Sequence, residues 1–117
     1  NTNFPHWFAK NFHHYNENES ALPIDQHMLI ALIAPRPVYV ASASLDPWAD
    51  PNGEFLSAKA ATSVYELYEE KGIEVDHQPA VNTPIHNMIG YHLREGKHNV
   101  TAYDWDQYIQ FSNLHLN

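Results

Sequence analysis

Residues 37–55 read PVYVASASLDPWADPNGEF. The first seven, Pro37 to Ala43, are β-branched and apolar on both parities, the pattern of a strand covered on both faces in a parallel sheet. A loop of acids, prolines and a tryptophan follows. From Asp50 the chain reads as a helix entrance. Asp accepts the free amide protons of a first turn, Pro51 suits the first helical position, and a negative charge at Glu54 is favoured by the helix dipole. A strand that passes through a short polar loop directly into a helix sets the fold class as α/β.

The same alternation extends outward. In "EFLSAKAATSVYELYEEKG", Leu56, Ala60, Val64, Leu67 and Tyr68 recur at helical spacing, Glu66, Glu69 and Lys71 lie off that stripe, and Gly72 suits the C-terminal cap. Residues Asn87 to Leu93, "NMIGYHL", form a second strand, followed by a turn at Gly96. Thr101 with Asp104 resembles a capping box, and Trp105, Tyr108, Ile109, Ser112 and Leu116 predict the buried stripe of a final helix. Upstream, Asp25 is an N-cap for a short helix in "QHMLIALIA" that stops before Pro35. The opening "NFPHWFAKNFHHYNENES" has no clean periodicity and reads as an irregular segment that lays rings on a body made elsewhere. The order helix, strand, helix, strand, helix implies right-handed crossovers onto a parallel sheet, with functional loops at its carboxyl edge. One such loop carries Asp46, Trp48 and Asp50, the other His98.

The 117 residues suffice for one domain, but the chain begins at Asn1 with no charged-then-apolar leader, so a mature or excised segment is expected. Six basic against 14 acidic residues give a formal charge of −8, which repels phosphate backbones and anionic membranes. Nucleic acid and membrane partners are therefore not expected. The apolar run from Met28 to Ala34 is far too short for a bilayer span. The absence of Cys excludes a disulfide scaffold, a thiolate nucleophile and a Cys-based metal site.

Three chemistries compete for these residues. A calcium loop needs acids or amides at alternating positions, a sixth-position glycine and a twelfth-position acid; Asp46, Asp50, Asn52 and Glu54 keep no such spacing. Zinc is suggested by the 9 histidines, yet His13 and His14 are adjacent and no His-x-x-x-His falls on a helical face. No metal or cofactor is expected. The third reading is a hydrolase triad. Asp50 and Glu54 are explained by the helix entrance, whereas Asp46 is used by neither strand nor helix and stands where an acid can accept the Nδ1 proton of a histidine from the next strand's loop. His98 lies in that loop, at the chain position where the order Ser, Asp, His puts its base. The competing reading is an unrelated turn Asp and a surface His. No Ser lies in Gly-x-Ser-x-Gly, since the only glycines are Gly53, Gly72, Gly90 and Gly96.

The segments "FPHWF", "DQHMLIALIAPRPVYVASASLDPWADPNGEF" and "GYHLREGKHNVTAYDWDQYIQF" together resemble the C-terminal part of bacterial glucuronoyl esterases, carbohydrate esterase family 15. The resemblance implies that residues 1–117 are the C-terminal segment of a single α/β-hydrolase catalytic domain, an incomplete one. It implies hydrolysis of the ester joining glucuronic or 4-O-methylglucuronic acid on xylan to lignin alcohols, by a serine in an upstream elbow beside an oxyanion-stabilising arginine, with no cofactor. His98 then matches the general base and Asp46 the acid found in many bacterial members, although some members use a glutamate on an earlier strand. Trp48 matches a tryptophan that contacts the sugar; its indole offers an apolar face and one N–H donor. Asp25 and His27 also match but read as structural. The implied partners are the lignin–carbohydrate ester and the rest of the hydrolase domain, upstream or as a companion chain. A cell-wall polymer implies a secreted or periplasmic protein. The alternatives are a non-catalytic carbohydrate-binding or structural remnant of the fold and a related acetyl xylan esterase.

Overall fold

The computed structural model describes residues 2–116. Its elements run α1 (Gln26–Ala31), β1 (Val38–Ala43), α2 (Pro51–Glu66), β2 (Ile85–His86), β3 (Ile89–Arg94) and α3 (Ala102–His115), preceded by three 3₁₀ turns, Pro5–Trp7, Lys10–Tyr15 and Glu19–Ala21. The sheet has the order β1-β3-β2. Strands β1 and β3 pair in parallel from Val38↔Ile89 to Ala43↔Arg94, while the two-residue β2 pairs antiparallel to β3. The predicted α/β alternation is therefore present, with β2 as an addition too short to leave a sequence pattern.

All six residues of β3 are buried, because helices cover both sheet faces. Side chains alternate across a strand. Ile89, Tyr91 and Leu93 point into an apolar core with Phe55, Ala58, Ala61 and Tyr65 of α2 and with Ile73. Gly90, His92 and Arg94 take the opposite parity, toward α3. A Cβ on Gly90 would lie 2.3 Å from the Tyr39 ring and 2.8 Å from Phe111, so only glycine lets these rings close over the strand.

Two expected helix faces are rotated. In α2 the buried residues are Phe55, Ala58, Ala61 and Tyr65, whereas Leu56, Ala60, Leu67 and Tyr68 are exposed. Small alanines let the helix approach the sheet, and Tyr65 is admissible because its hydroxyl donates to the Arg36 carbonyl at 2.8 Å. In α3 the buried residues are Asp104, Gln107 and Phe111, while Trp105, Ile109 and Leu116 are exposed. Asp104 is drawn inward by charge partners on β3. The end of α2 also differs from expectation. Glu69, at φ 61°, takes the left-handed position, and the Glu70 amide bonds back to Tyr65 O at 3.2 Å, closing the helix before Gly72. Gly72 instead lies against Thr62, whose Oγ1 would sit 2.4 Å from an added Cβ.

The caps form as expected. Asp25 Oδ1 accepts from the Gln26 amide at 2.7 Å, and Asp50 Oδ1 from the Gly53 amide at 3.1 Å. Asp50 does so from the left-handed region, at φ 54°.

Candidate active site

Strands β1 and β3 end in register at Ala43 and Arg94, so the loops leaving them start side by side at the carboxyl edge. Three hydrogen bonds tie the loops together: Ser44 N to Arg94 O at 2.9 Å, Leu45 N to Gly96 O at 2.9 Å, and Gly96 N to Ser44 Oγ at 3.3 Å. Gly96 has φ +116°, a conformation that a side chain would strain. The consequence is a meeting of the two residues singled out by spacing. His98 Nδ1 lies 2.6 Å from Asp46 Oδ2. The Asp46 side chain is 11% exposed and that of His98 83%. The carboxylate is thus shielded, and the far imidazole nitrogen, Nε2, faces outward.

A cleft of about 470 Å³ opens beside the pair, lined among others by Ser42, Ala49, Glu54 and Arg94. Glu54 does more than complement the helix dipole. Its Oε2 accepts from the Ser42 hydroxyl at 2.7 Å. Burial pushes the Glu54 carboxyl above the ordinary glutamate range, and the charges of Asp46 and Asp50 push the same way, against the Ser42 hydrogen bond and His98. Trp48 is 74% exposed and does not line the cleft itself. Its ring and that of Phe4 form a T-shaped pair with centroids 5.9 Å apart, and Phe4 stacks on Trp7 at 4.5 Å. The aromatic opening of the chain therefore lays its rings against the Asp46 loop. Asp25 is a cap, with His27 Nδ1 3.8 Å from its second oxygen.

Beneath the His98 loop lies a buried ionic cluster that the sequence reading did not identify. Asp104 receives Arg94 Nε at 2.9 and 3.0 Å on its two oxygens, His92 Nε2 at 3.0 Å, and the Thr101 amide and hydroxyl at 2.6 and 2.7 Å. Burial pushes the Asp104 carboxyl up, but the Thr101 and His92 hydrogen bonds with the Arg94 charge outweigh it and hold the carboxyl below the ordinary aspartate range. Burial also lowers the affinity of His92 for a proton, opposed by Asp104 and reinforced by Arg94. A neutral His92 then donates from Nε2 to Asp104 and accepts at Nδ1 from the Tyr39 hydroxyl, 3.0 Å away. Burial pushes that phenol up, keeping it a donor. The signal available in sequence was parity: His92 and Arg94 alternate with apolar residues on a strand covered on both faces, so both must find partners inside.

Among the described residues, no three His, Asp or Glu side chains converge as a metal site would require. His13 Nε2 instead donates to the Pro5 carbonyl at 3.0 Å.

Comparison with known proteins agrees in family. Residues 2–69 match a model described as glucuronyl esterase, fungi. A carbohydrate esterase, MZ0003, from an unknown prokaryotic organism is 56% identical over 116 residues, 99% of this chain and 27% of that protein. A 4-O-methyl-glucuronoyl methylesterase of Wolfiporia cocos is 40% identical over 60 residues, 51% of this chain and 15% of that protein. Among solved structures, a promiscuous family 15 esterase from a marine bacterial metagenome superposes with TM-score 0.95 at 56% identity, covering 98% of this chain and 29% of that one. A glucuronoyl esterase from Solibacter usitatus superposes with TM-score 0.91 at 50% identity, covering 97% and 29%. The chain thus spans less than a third of the length of these relatives.

Proposed function

Because this chain belongs to carbohydrate esterase family 15, the glucuronoyl esterases, we propose that it supplies the acid–base half of a serine esterase whose nucleophile lies in residues outside these 117. In this reading residues 1–117 are the C-terminal segment of one α/β-hydrolase catalytic domain. The observation that carries it is the 2.6 Å contact between His98 Nδ1 and Asp46 Oδ2 at the carboxyl edge of the parallel strands.

The chemistry follows from that contact. Asp46 accepts the Nδ1 proton of His98, which fixes the tautomer with the Nε2 lone pair free. Nε2 takes the proton of the serine hydroxyl as its oxygen attacks the ester carbonyl, and the imidazolium formed is stabilised by Asp46. The same proton passes to the leaving alcohol as the tetrahedral intermediate collapses to an acyl-enzyme. Water then repeats the cycle, losing a proton to Nε2 and releasing the glucuronic acid and the serine.

The proposed substrate is the 4-O-methylglucuronoyl ester between xylan and lignin alcohols, with Trp48 offering its exposed indole to the sugar. Such a polymer implies a secreted or periplasmic protein. A second reading, wider acceptance of carbohydrate esters including acetyl xylan, is favoured by the 56% identity to an esterase described as promiscuous.

The test is turnover of benzyl glucuronate by the complete polypeptide, with acetyl xylan in parallel and His98→Ala as control. Hydrolysis of the glucuronate ester that disappears in His98→Ala is expected. Retained turnover in that variant would remove His98 from the mechanism, and faster hydrolysis of acetyl xylan would favour the second reading.

A further inference from the structure

The loop from Glu95 to Val100 carries His98 but has no regular structure, and five of its six residues are exposed. It therefore lacks an apolar anchor of its own. Besides the two bonds of Gly96 to Ser44 and Leu45 and the contact of His98 with Asp46, it is held by Arg94, the last residue of β3, which is 4% exposed. The guanidinium presents five N–H donors in a rigid fork. Nε is occupied by Asp104; Nη1 donates to Glu95 O at 3.0 Å, and Nη2 to Lys97 O at 2.8 Å and to Asn99 O. The carbonyls of both residues flanking His98 thus converge on one nitrogen. Behind Arg94, the chain of contacts continues through Asp104 to His92 and Tyr39, all rooted in sheet and helix.

We infer that Arg94 is a positioning residue for His98: from inside the fold it gathers the loop's carbonyls and holds the imidazole at its place between Asp46 and the cleft. The inference rests on the reading of His98 as general base. A buried ion pair is weak evidence for stability, since apolar replacements of similar volume are often neutral. Here such a replacement would strand three loop carbonyls, and the loop would lose its register. Lysine would keep the charge opposite Asp104 but cannot reach the carboxylate and three carbonyls at once.

The experiment uses the complete polypeptide and the variants Arg94→Lys, Arg94→Ala and His98→Ala. Misplacing a catalytic group by about 1 Å costs on the order of 100-fold in rate. Arg94→Lys is accordingly expected to lower kcat by about 10- to 100-fold with KM changed less than about threefold. The low-field Nδ1 proton resonance of His98 should shift or broaden, and added guanidinium should partly restore kcat in Arg94→Ala. If His98→Ala is inactive while both Arg94 variants keep kcat within about twofold and the resonance unmoved, the positioning role is overturned and the triad reading stands. If His98→Ala remains active, the triad reading itself fails. If neither Arg94 variant melts cooperatively, Arg94 serves the fold alone and the inference is overturned.

Discussion

His98 Nδ1 and Asp46 Oδ2 lie 2.6 Å apart, one residue almost fully exposed and the other almost buried. This asymmetry suits a base whose orienting acid is kept from water while its working nitrogen faces outward. The contact follows from equal strand endings: Asp46 stands three residues past Ala43, and His98 four past Arg94, its register partner.

The pair gives the first prediction. In Asp46→Asn the amide can donate to Nδ1 and so favours the tautomer with Nε2 protonated, which cannot act as base. A loss of about 10⁴ in kcat is the scale for that substitution in a serine triad. The measurement is kcat on benzyl glucuronate alongside thermal melting, with the melting temperature near that of the parent. A loss below about tenfold would assign the acid's role to another carboxylate.

Trp48 is expected to act chiefly on binding. Its indole is mostly exposed and contacts the fold through Phe4, so Trp48→Ala should lower the melting temperature only slightly. Losing a sugar-facing aromatic contact of about 1–2 kcal/mol corresponds to a KM roughly 5- to 30-fold higher with kcat retained. Equal KM values for Trp48→Ala and the parent, on a 4-O-methylglucuronate ester, would remove the indole from the sugar site.

Asp50 combines a cap with an unfavourable backbone. Its side chain satisfies the Gly53 amide, yet its φ of 54° is one that most side chains resist. Asn keeps both the acceptor and tolerance of this region, Gly loses the acceptor but relieves the backbone, and Ala does neither. Urea unfolding should therefore rank the parent and Asp50→Asn together, Asp50→Gly below them, and Asp50→Ala lowest by about 1 kcal/mol or more. Gly53→Ala should resemble Asp50→Ala, because its Cβ would lie 2.4 Å from Asp50 Oδ2. Asp50→Ala more stable than Asp50→Gly would contradict this account.

Legibility from sequence followed the range of the forces involved. Caps at Asp25 and Asp50 are local, and they were readable; so was the strand Val38–Ala43, whose apolar character on both parities reflects helices on both faces. The juxtaposition of Asp46 and His98 was readable too, because parallel strands carry successive loops to one edge. Helix faces were not. Apolarity alone favours Leu56 and Trp105 over Tyr65 and Asp104, but burial was decided by partners distant in sequence: the Arg36 carbonyl for Tyr65, and Arg94 with His92 for Asp104. Arg94 went unnoticed for the same reason, since its role depends on three carbonyls presented by a loop without periodicity.

The buried imidazole of His92 makes stability depend on pH in a predictable direction. Burial depresses its pKa below 6.5, with Asp104 opposing and Arg94 assisting. The unfolded chain therefore binds a proton as pH falls through about 6.5, while the folded chain resists until lower pH. In that window the unfolded state holds more protons, so the contribution of His92 is complete above about pH 6.5 and is lost on acidification. Glu54 acts in the opposite sense: its raised pKa means that the folded state favours the protonated acid, and that contribution is lost as pH rises through the folded value. The two windows are separated by working in a Glu54→Gln background, where the Ser42 hydroxyl still finds an acceptor. There, melting temperature should fall between pH 7 and pH 5 more steeply with His92 than with His92→Gln. The Gln variant should be the less stable at pH 7, because it cannot span both the Tyr39 hydroxyl and Asp104. Parallel curves for the two proteins across this range would mean that His92 takes up its proton equally in the folded and unfolded states, and the neutral bridge between Tyr39 and Asp104 would be wrong.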